Sequence, residues 1–252
     1  KDSNMKMNWI KKSYVLVALF AMISNGYAQN KNEDQANWFA YVGQIKIAEK
    51  IGIHVEAQFR LDDNLNYSRQ NLFRLGGIYH VNSKLNLALG YGLINTYSPT
   101  FDDYFGENRI WQQLVYNHKW KEDKNLMNHR IRVEQRFVDR LGVVNQNTEV
   151  VATHYQNRFR YLNRNLIHLS NFKNSNNTLY GIIQSEVFLN IGRNKINSKF
   201  FDQNRFFTGL GIHFKEQTRI ELGYMNHYLN LSSGSDLMNH TLSFSILQNL
   251  SI

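Results

Sequence analysis

From Trp38 onward, apolar side chains recur at every second position over runs longer than the strands of an ordinary sheet. In residues 51 to 61, Ile51, Ile53, Val55, Ala57, Phe59 and Leu61 fall on one face, and His54, Glu56, Gln58 and Arg60 fall on the other. A period of two is the geometry of an extended chain, so each run presents one apolar and one polar face. The pattern returns at 84 to 94, where Leu85, Leu87, Leu89, Tyr91 and Leu93 alternate with Lys84, Asn86, Ala88, Gly90 and Gly92. It returns at 128 to 138, with Ile131, Val133 and Phe137 against Arg130, Arg132, Glu134 and Arg136, and again from Leu242 to Ile252.

Eleven segments carry it, near 38–47, 51–61, 69–80, 84–95, 107–120, 126–138, 155–169, 178–190, 203–214, 217–229 and 239–252; the third and seventh alternate imperfectly. Many exceed the about five or six residues usual in globular strands and reach the about nine to eleven that a tilted strand needs to cross a bilayer. Short connections near 48–50, 81–83, 121–125, 170–177 and 215–216 alternate with longer ones near 62–68, 96–106, 139–154, 191–202 and 230–238. Short periplasmic turns and longer extracellular loops are the arrangement of an outer-membrane barrel. The expected fold is all-β, an antiparallel transmembrane β-barrel. Bacterial barrels normally have even strand counts, so twelve strands are expected, one more than can be placed.

The beginning of the chain agrees with export. Lys6, Lys11 and Lys12 precede an apolar run from Tyr14 to Ile23, and Gly26, Tyr27 and Ala28 follow at the positions where a signal peptidase needs small residues. Residues 1–28 are therefore expected to be an N-terminal extension and signal peptide cleaved after Ala28, leaving 29–252 as the barrel. Ten apolar residues are too few for a spanning helix. With no cysteine in 252 residues, disulfides, thiolate chemistry and Cys-ligated metals are excluded.

Charge placement is the most informative feature. Beyond residue 28 lie 25 of the 29 basic and 19 of the 20 acidic residues, a surplus of +6 against +9 for the whole chain. Eleven arginines fall on polar strand faces: Arg60, Arg74, Arg109, Arg130, Arg132, Arg136, Arg158, Arg160, Arg164, Arg205 and Arg219. Five glutamates do likewise, Glu56, Glu107, Glu134, Glu186 and Glu221, and the other 14 residues of each sign cancel in connections and strand ends. The face has no mid-strand lysine and no aspartate. A guanidinium is a flat fork that grips a carboxylate through paired hydrogen bonds and stays charged in a crowded site. These sixteen residues are assigned to the lining of a confined polar lumen. They act there either as ion pairs filling a narrow barrel or as a field biasing a small pore toward anions. Trp38, Tyr91, Tyr116, Trp120, Tyr161, Tyr224 and Tyr228, at strand ends, are assigned to aromatic girdles at the membrane interfaces.

The stretches Glu56-Ala57-Gln58-Phe59-Arg60, Glu107-Asn108-Arg109 and His129-Arg130-Ile131-Arg132-Val133-Glu134-Gln135-Arg136-Phe137 carry a resemblance. So do Arg158-Phe159-Arg160, Glu186, Phe201-Asp202-Gln203-Asn204-Arg205 and Gly223-Tyr224. In this combination the chain resembles an uncharacterised bacterial outer-membrane family, domain of unknown function 2490. The resemblance implies an outer-membrane β-barrel and carries no established reaction. Ile252, where barrels generally end on an aromatic residue, is a departure.

Catalytic constellations are thin. His240 and Ser243 are an odd number apart and so lie on opposite faces, Asp102-Asp103 sits among loop aromatics, and Glu107 with His118 is the remaining pair. No residue is assigned a catalytic role. The His residues are scattered singly, without metal-ligand spacing, and no cofactor or metal is expected. The arginines interleave with glutamates inside strands, so nucleic acid is discounted. Expected partners are outer-membrane lipid, the barrel-assembly machinery and small anionic solutes. The leading function is a porin-like, narrow, anion-leaning solute channel or a non-conducting scaffold in the outer membrane of a Gram-negative bacterium. Rivals are a lipid or peptide hydrolase embedded in the barrel, and a soluble lipid-binding β-barrel with its apolar faces inside.

Overall fold

The computed structural model describes residues 31–252 apart from 123, 174, 193, 215, 216, 233 and 235; the expected signal segment and cleavage point lie outside the described residues. Where the alternating runs stood, the chain forms β1 (Lys31–Lys46), β2 (Ile51–Asp62), β3 (Ser68–His80), β4 (Leu85–Ser98), β5 (Asp103–Trp120) and β6 (Asn125–Val144). It continues through β7 (Asn147–Asn171), β8 (Thr178–Ile191), β9 (Phe201–Phe214), β10 (Thr218–Leu229) and β11 (Asp236–Ser251). Each strand pairs antiparallel with its chain neighbour, and β1 meets β11 to close a barrel. An odd number of strands leaves β1 and β11 running the same way, so the closing seam is parallel. There, the Ile252 amide donates to the Lys46 carbonyl at 3.0 Å, and the Tyr41 hydroxyl donates to Gln248 Oε1 at 2.8 Å. Closure is complete on eleven strands, and the twelfth expected from evenness has no place among the described residues.

The two faces sort as alternation requires, with the polar face inside. Leu75 and Leu89 are 61% and 59% exposed on the outer wall, while Glu134 and Arg132 are 0% and 1% exposed. The faces are the reverse of those the soluble alternative called for, with leucines on the outer wall and arginines in the interior. A smaller apolar cluster of Tyr180, Ile182, Phe207 and Met225, with Trp38 and Leu166 packed on it, occupies one inner wall. Small residues make room for the inner aromatics. The Trp111 indole lies against Gly76 and Gly90 of β3 and β4, where a Cβ would come within 2.7 Å and 2.3 Å of it.

Connections depart from expectation at one rim. The long loop expected at 139–154 is strand almost throughout: β6 and β7 run on as a hairpin and turn at Asn145 and Gln146, both at positive φ (49° and 69°). Two consecutive left-handed residues make the tight turn that matches strand twist. Asn-Gln lacks the glycine that usually announces it.

Bulges shift the parity elsewhere. Phe188 faces Gln203 while Leu189 faces Phe201, so Asp202 is an extra residue in β9. Likewise, Arg60 faces Gln70 while Leu61 faces Ser68, leaving Arg69 unopposed in β3.

Candidate functional site

Register sets arginines opposite glutamates on neighbouring strands. Arg74 lies opposite Glu56, Arg158 opposite Glu134, and Arg205 opposite Glu186. Twelve of the sixteen assigned residues are buried, and Arg60, Arg130, Arg164 and Arg219 are half-buried.

Glu134 is the hub. Its Oε1 lies 2.7 Å from Arg160 Nη1, 3.3 Å from Arg109 Nη1, 3.5 Å from Arg74 Nη2 and 4.0 Å from Arg132 Nη1. Arg74 also reaches Glu56 at 2.8 Å, and Arg160 reaches Glu186 through Nη2 at 2.7 Å and Nε at 3.0 Å. Arg130 adds a contact to Glu186 at 2.7 Å. The result is a continuous lattice across the barrel, with carboxylates shared between guanidinium forks, as low-dielectric burial of charge demands.

Toward the rim of long connections the lattice thickens. Arg136 grips Glu107 with Nε and Nη2, both at 2.7 Å, and Arg109 Nη2 lies 2.6 Å from the same carboxylate. Arg136 Nη1 donates to Gln156 at 2.8 Å, and Gln156 donates to Asn190 at 2.6 Å. Arg158 pairs with Asp202 at 2.8 Å. Asn197, in the connection between β8 and β9, is buried and donates to Asp202 at 2.9 Å and to the Asn230 carbonyl at 2.8 Å. That connection is thus tied through Asn197 to β9 and to the segment that follows β10.

Toward the opposite rim the lumen opens into a cavity of about 860 Å³. Its lining runs from Ser83, Lys84 and Asn249 near the short turns to Glu56, Arg74, Arg132, Arg160, Glu186 and Arg205 at its floor, and includes Arg219. Arg164 pairs with Glu221, which also accepts from the Tyr180 hydroxyl at 2.8 Å. The cavity is cup-like, with a buried ionic floor on the side away from the short turns.

Several participants escaped sequence reasoning. Trp38, assigned to a girdle, faces inward instead: it lies opposite Arg60 in register, with that guanidinium 3.9 Å and the Arg205 guanidinium 4.9 Å from its ring centroid. Position at a strand end suggested an interface; parity with Ala40 and Val42 would have placed the ring inside. Asp202 was missed because its bulge breaks parity with Arg205. Gln156 and Asn190 obey parity but carry no charge to mark them.

The catalytic candidates do not assemble. His240 sits on the outer wall against Tyr224, with ring centroids 6.0 Å apart, while Ser243 lines the cavity. Glu107 and His118 lie near opposite ends of β5, on the order of 35 Å apart at about 3.3 Å per residue. Asp102 accepts from the Tyr97 hydroxyl at 2.6 Å in the β4–β5 connection.

No curated protein matches the chain. The sequence model of a family described as "Protein of unknown function (DUF2490)" matches residues 35–239.

Proposed function

The chain belongs to that family of unknown function, and from this membership and the barrel we propose an outer-membrane protein whose lumen is closed by its own ion pairs. It is exported by its N-terminal signal and inserted by the barrel-assembly machinery, and it stands in contact with outer-membrane lipid. It acts as a non-conducting scaffold with a cup open to the periplasm. Outward leucines around a closed sheet support the membrane placement, because a continuous apolar belt is costly in water and a closed sheet satisfies its backbone without water. Short turns belong on the periplasmic rim, which fixes the direction in which the cup opens.

The single observation that carries closure is the complete burial of Glu134 beneath four arginines from three other strands and its own. An open path along the axis would expose that carboxylate. Planar-bilayer recording of the purified protein tests it: no conductance steps above background are expected, and steady single-channel openings would refute the closed lumen. Membrane fractionation tests the placement, since the protein should be recovered with outer-membrane lipid.

A further inference from the structure

The floor of the cup has more guanidinium than it can pair. Nine basic and three acidic side chains line the cavity, a local surplus of +6. Two of the basic groups stand out. Arg132, 1% exposed, spends Nε and Nη2 on a single acceptor, Gln113 Oε1, and leaves Nη1 without a hydrogen-bond partner, 4.0 Å from the nearest carboxylate. Arg205 makes no ion pair among the described residues; its Nη2 makes a long 3.4 Å bond to Gln203, and its buried Nε has no hydrogen-bond partner. Its guanidinium is held instead over the rings of Trp38 and Phe188, 4.9 Å and 4.5 Å from their centroids. Both residues flank Glu186 closely enough to interact with it electrostatically. A buried guanidinium nitrogen without a hydrogen-bond partner is costly, so both positions favour an added negative group.

The wall beside this floor differs from a simple salt pocket. Phe207, Met225, Leu162 and Leu166 face the cavity from β7, β9 and β10, and Trp38 joins them from β1. A cavity of about 860 Å³ falls within the about 300–1,000 Å³ of ordinary small-molecule sites. We propose that the cup binds a small amphipathic anion, with its carboxylate or phosphate group at Arg132 and Arg205 and its apolar body along Phe207, Met225 and Leu166. The inference rests on the closed floor proposed above, since a through-channel would pass such a molecule and not hold it. The two fail separately: conductance refutes the closed floor, whereas a silent barrel that binds no anion refutes only the ligand site.

The test is calorimetric titration of the full chain, folded in non-ionic detergent, with phenyl phosphate and with hexanoate. These share an anionic head on an apolar body and stand for a soluble aryl phosphate and an acyl-lipid fragment. At least one should bind saturably, and the one that does identifies the source; inorganic phosphate and hexanol should bind at least about tenfold more weakly, since each offers only half the recognition. Arg132→Gln and Arg205→Gln should each weaken binding by about tenfold or more, as expected for loss of a charge-assisted hydrogen bond. Ser245→Phe, from β11, fills the cavity while leaving every arginine in place, and should abolish binding. It carries the test should an arginine variant fail to fold. Absence of saturable binding by either anion, binding of inorganic phosphate as tight as that of both, or binding unchanged in Ser245→Phe would overturn the proposal.

Discussion

Neutralising the hub of the lattice, Glu134→Gln, is the most severe single test of an ionic interior. The wild-type Oε1 faces guanidinium nitrogens at 2.7, 3.3, 3.5 and 4.0 Å. At an effective dielectric of about 20, the attraction is about 6 kcal/mol for the shortest pair and about 4 kcal/mol for the longest. Those gross terms are opposed by desolvation of the carboxylate and by repulsion among the four arginines, so the net loss is far smaller than their sum. Removing one partner from a buried network costs about 3–5 kcal/mol because the remaining charges stay buried and uncompensated. Glutamine preserves the shape and can still offer Oε1 as an acceptor, but it carries no negative charge to offset the four guanidinium groups. At about 2–4 °C per kcal/mol for chains of about 150–250 residues, the midpoint of thermal unfolding should fall by about 6–20 °C. The assay is the temperature at which the folded, fast-migrating gel band of the detergent-solubilised barrel is lost on heating. Combining Glu134→Gln with Arg160→Gln should cost less than the sum of the two, with a coupling of at least about 0.5 kcal/mol. A Glu134→Gln midpoint within about 2 °C of wild type, equivalent to about 0.5–1 kcal/mol, would refute the hub.

Other substitutions probe each remaining feature. Leu75→Arg, on the outer wall, should cost about 2–4 kcal/mol for folding into lipid vesicles if the belt sits in a bilayer; unaltered folding would count against the membrane placement. Gly90→Ala should lose about 1–3 kcal/mol by overpacking, because its Cβ would meet the Trp111 ring at 2.3 Å, whereas Gly77→Ala, with nothing within 4 Å, should be close to neutral in the same melting assay. Gln146→Gly should raise stability by about 1 kcal/mol, since only glycine adopts the left-handed region without penalty; a lower melting point would show that the Gln146 side chain matters to the hairpin.

Strand existence and facing were legible because period-two alternation states both at once: from Ile51 to Leu61, no other geometry separates six apolar from four polar side chains so cleanly. Arginine on one face then indicated where the interior lay. What escaped shares a cause, because parity is a local rule and fails wherever one residue is inserted. The Asp202 bulge turned a predicted connection into the partner of Arg158, and nothing in Phe201-Asp202-Gln203 marks an insertion. The strand count had a different obstacle. Evenness is a regularity of barrels, while closure depends on the seam, and β1 with β11 close in parallel through contacts such as Ile252 to Lys46 that no local pattern encodes. The depth of the cup was also hidden, since it depends on which layers of the lumen hold both signs and which hold arginine in excess.

That division of layers explains why a charged interior serves this barrel better than an apolar one. Well-packed hydrophobic residues often match or exceed a buried ion-pair network in stability, so stability alone gives no reason to choose Arg and Glu. Specification does. If both faces of a strand were apolar, a slip of one residue in register would exchange them at little cost. With the lattice in place, the same slip would expel Glu134 and four guanidinium contacts to the outer wall while drawing leucines inward, and every strand would penalise the error. The lattice therefore fixes register, and around Glu107 and Glu134 each carboxylate is shared among several guanidinium forks. At Arg132 and Arg205 register is fixed equally well but guanidinium nitrogens are left without hydrogen-bond partners, and those two side chains face a cavity into which a ligand could deliver a carboxylate or phosphate.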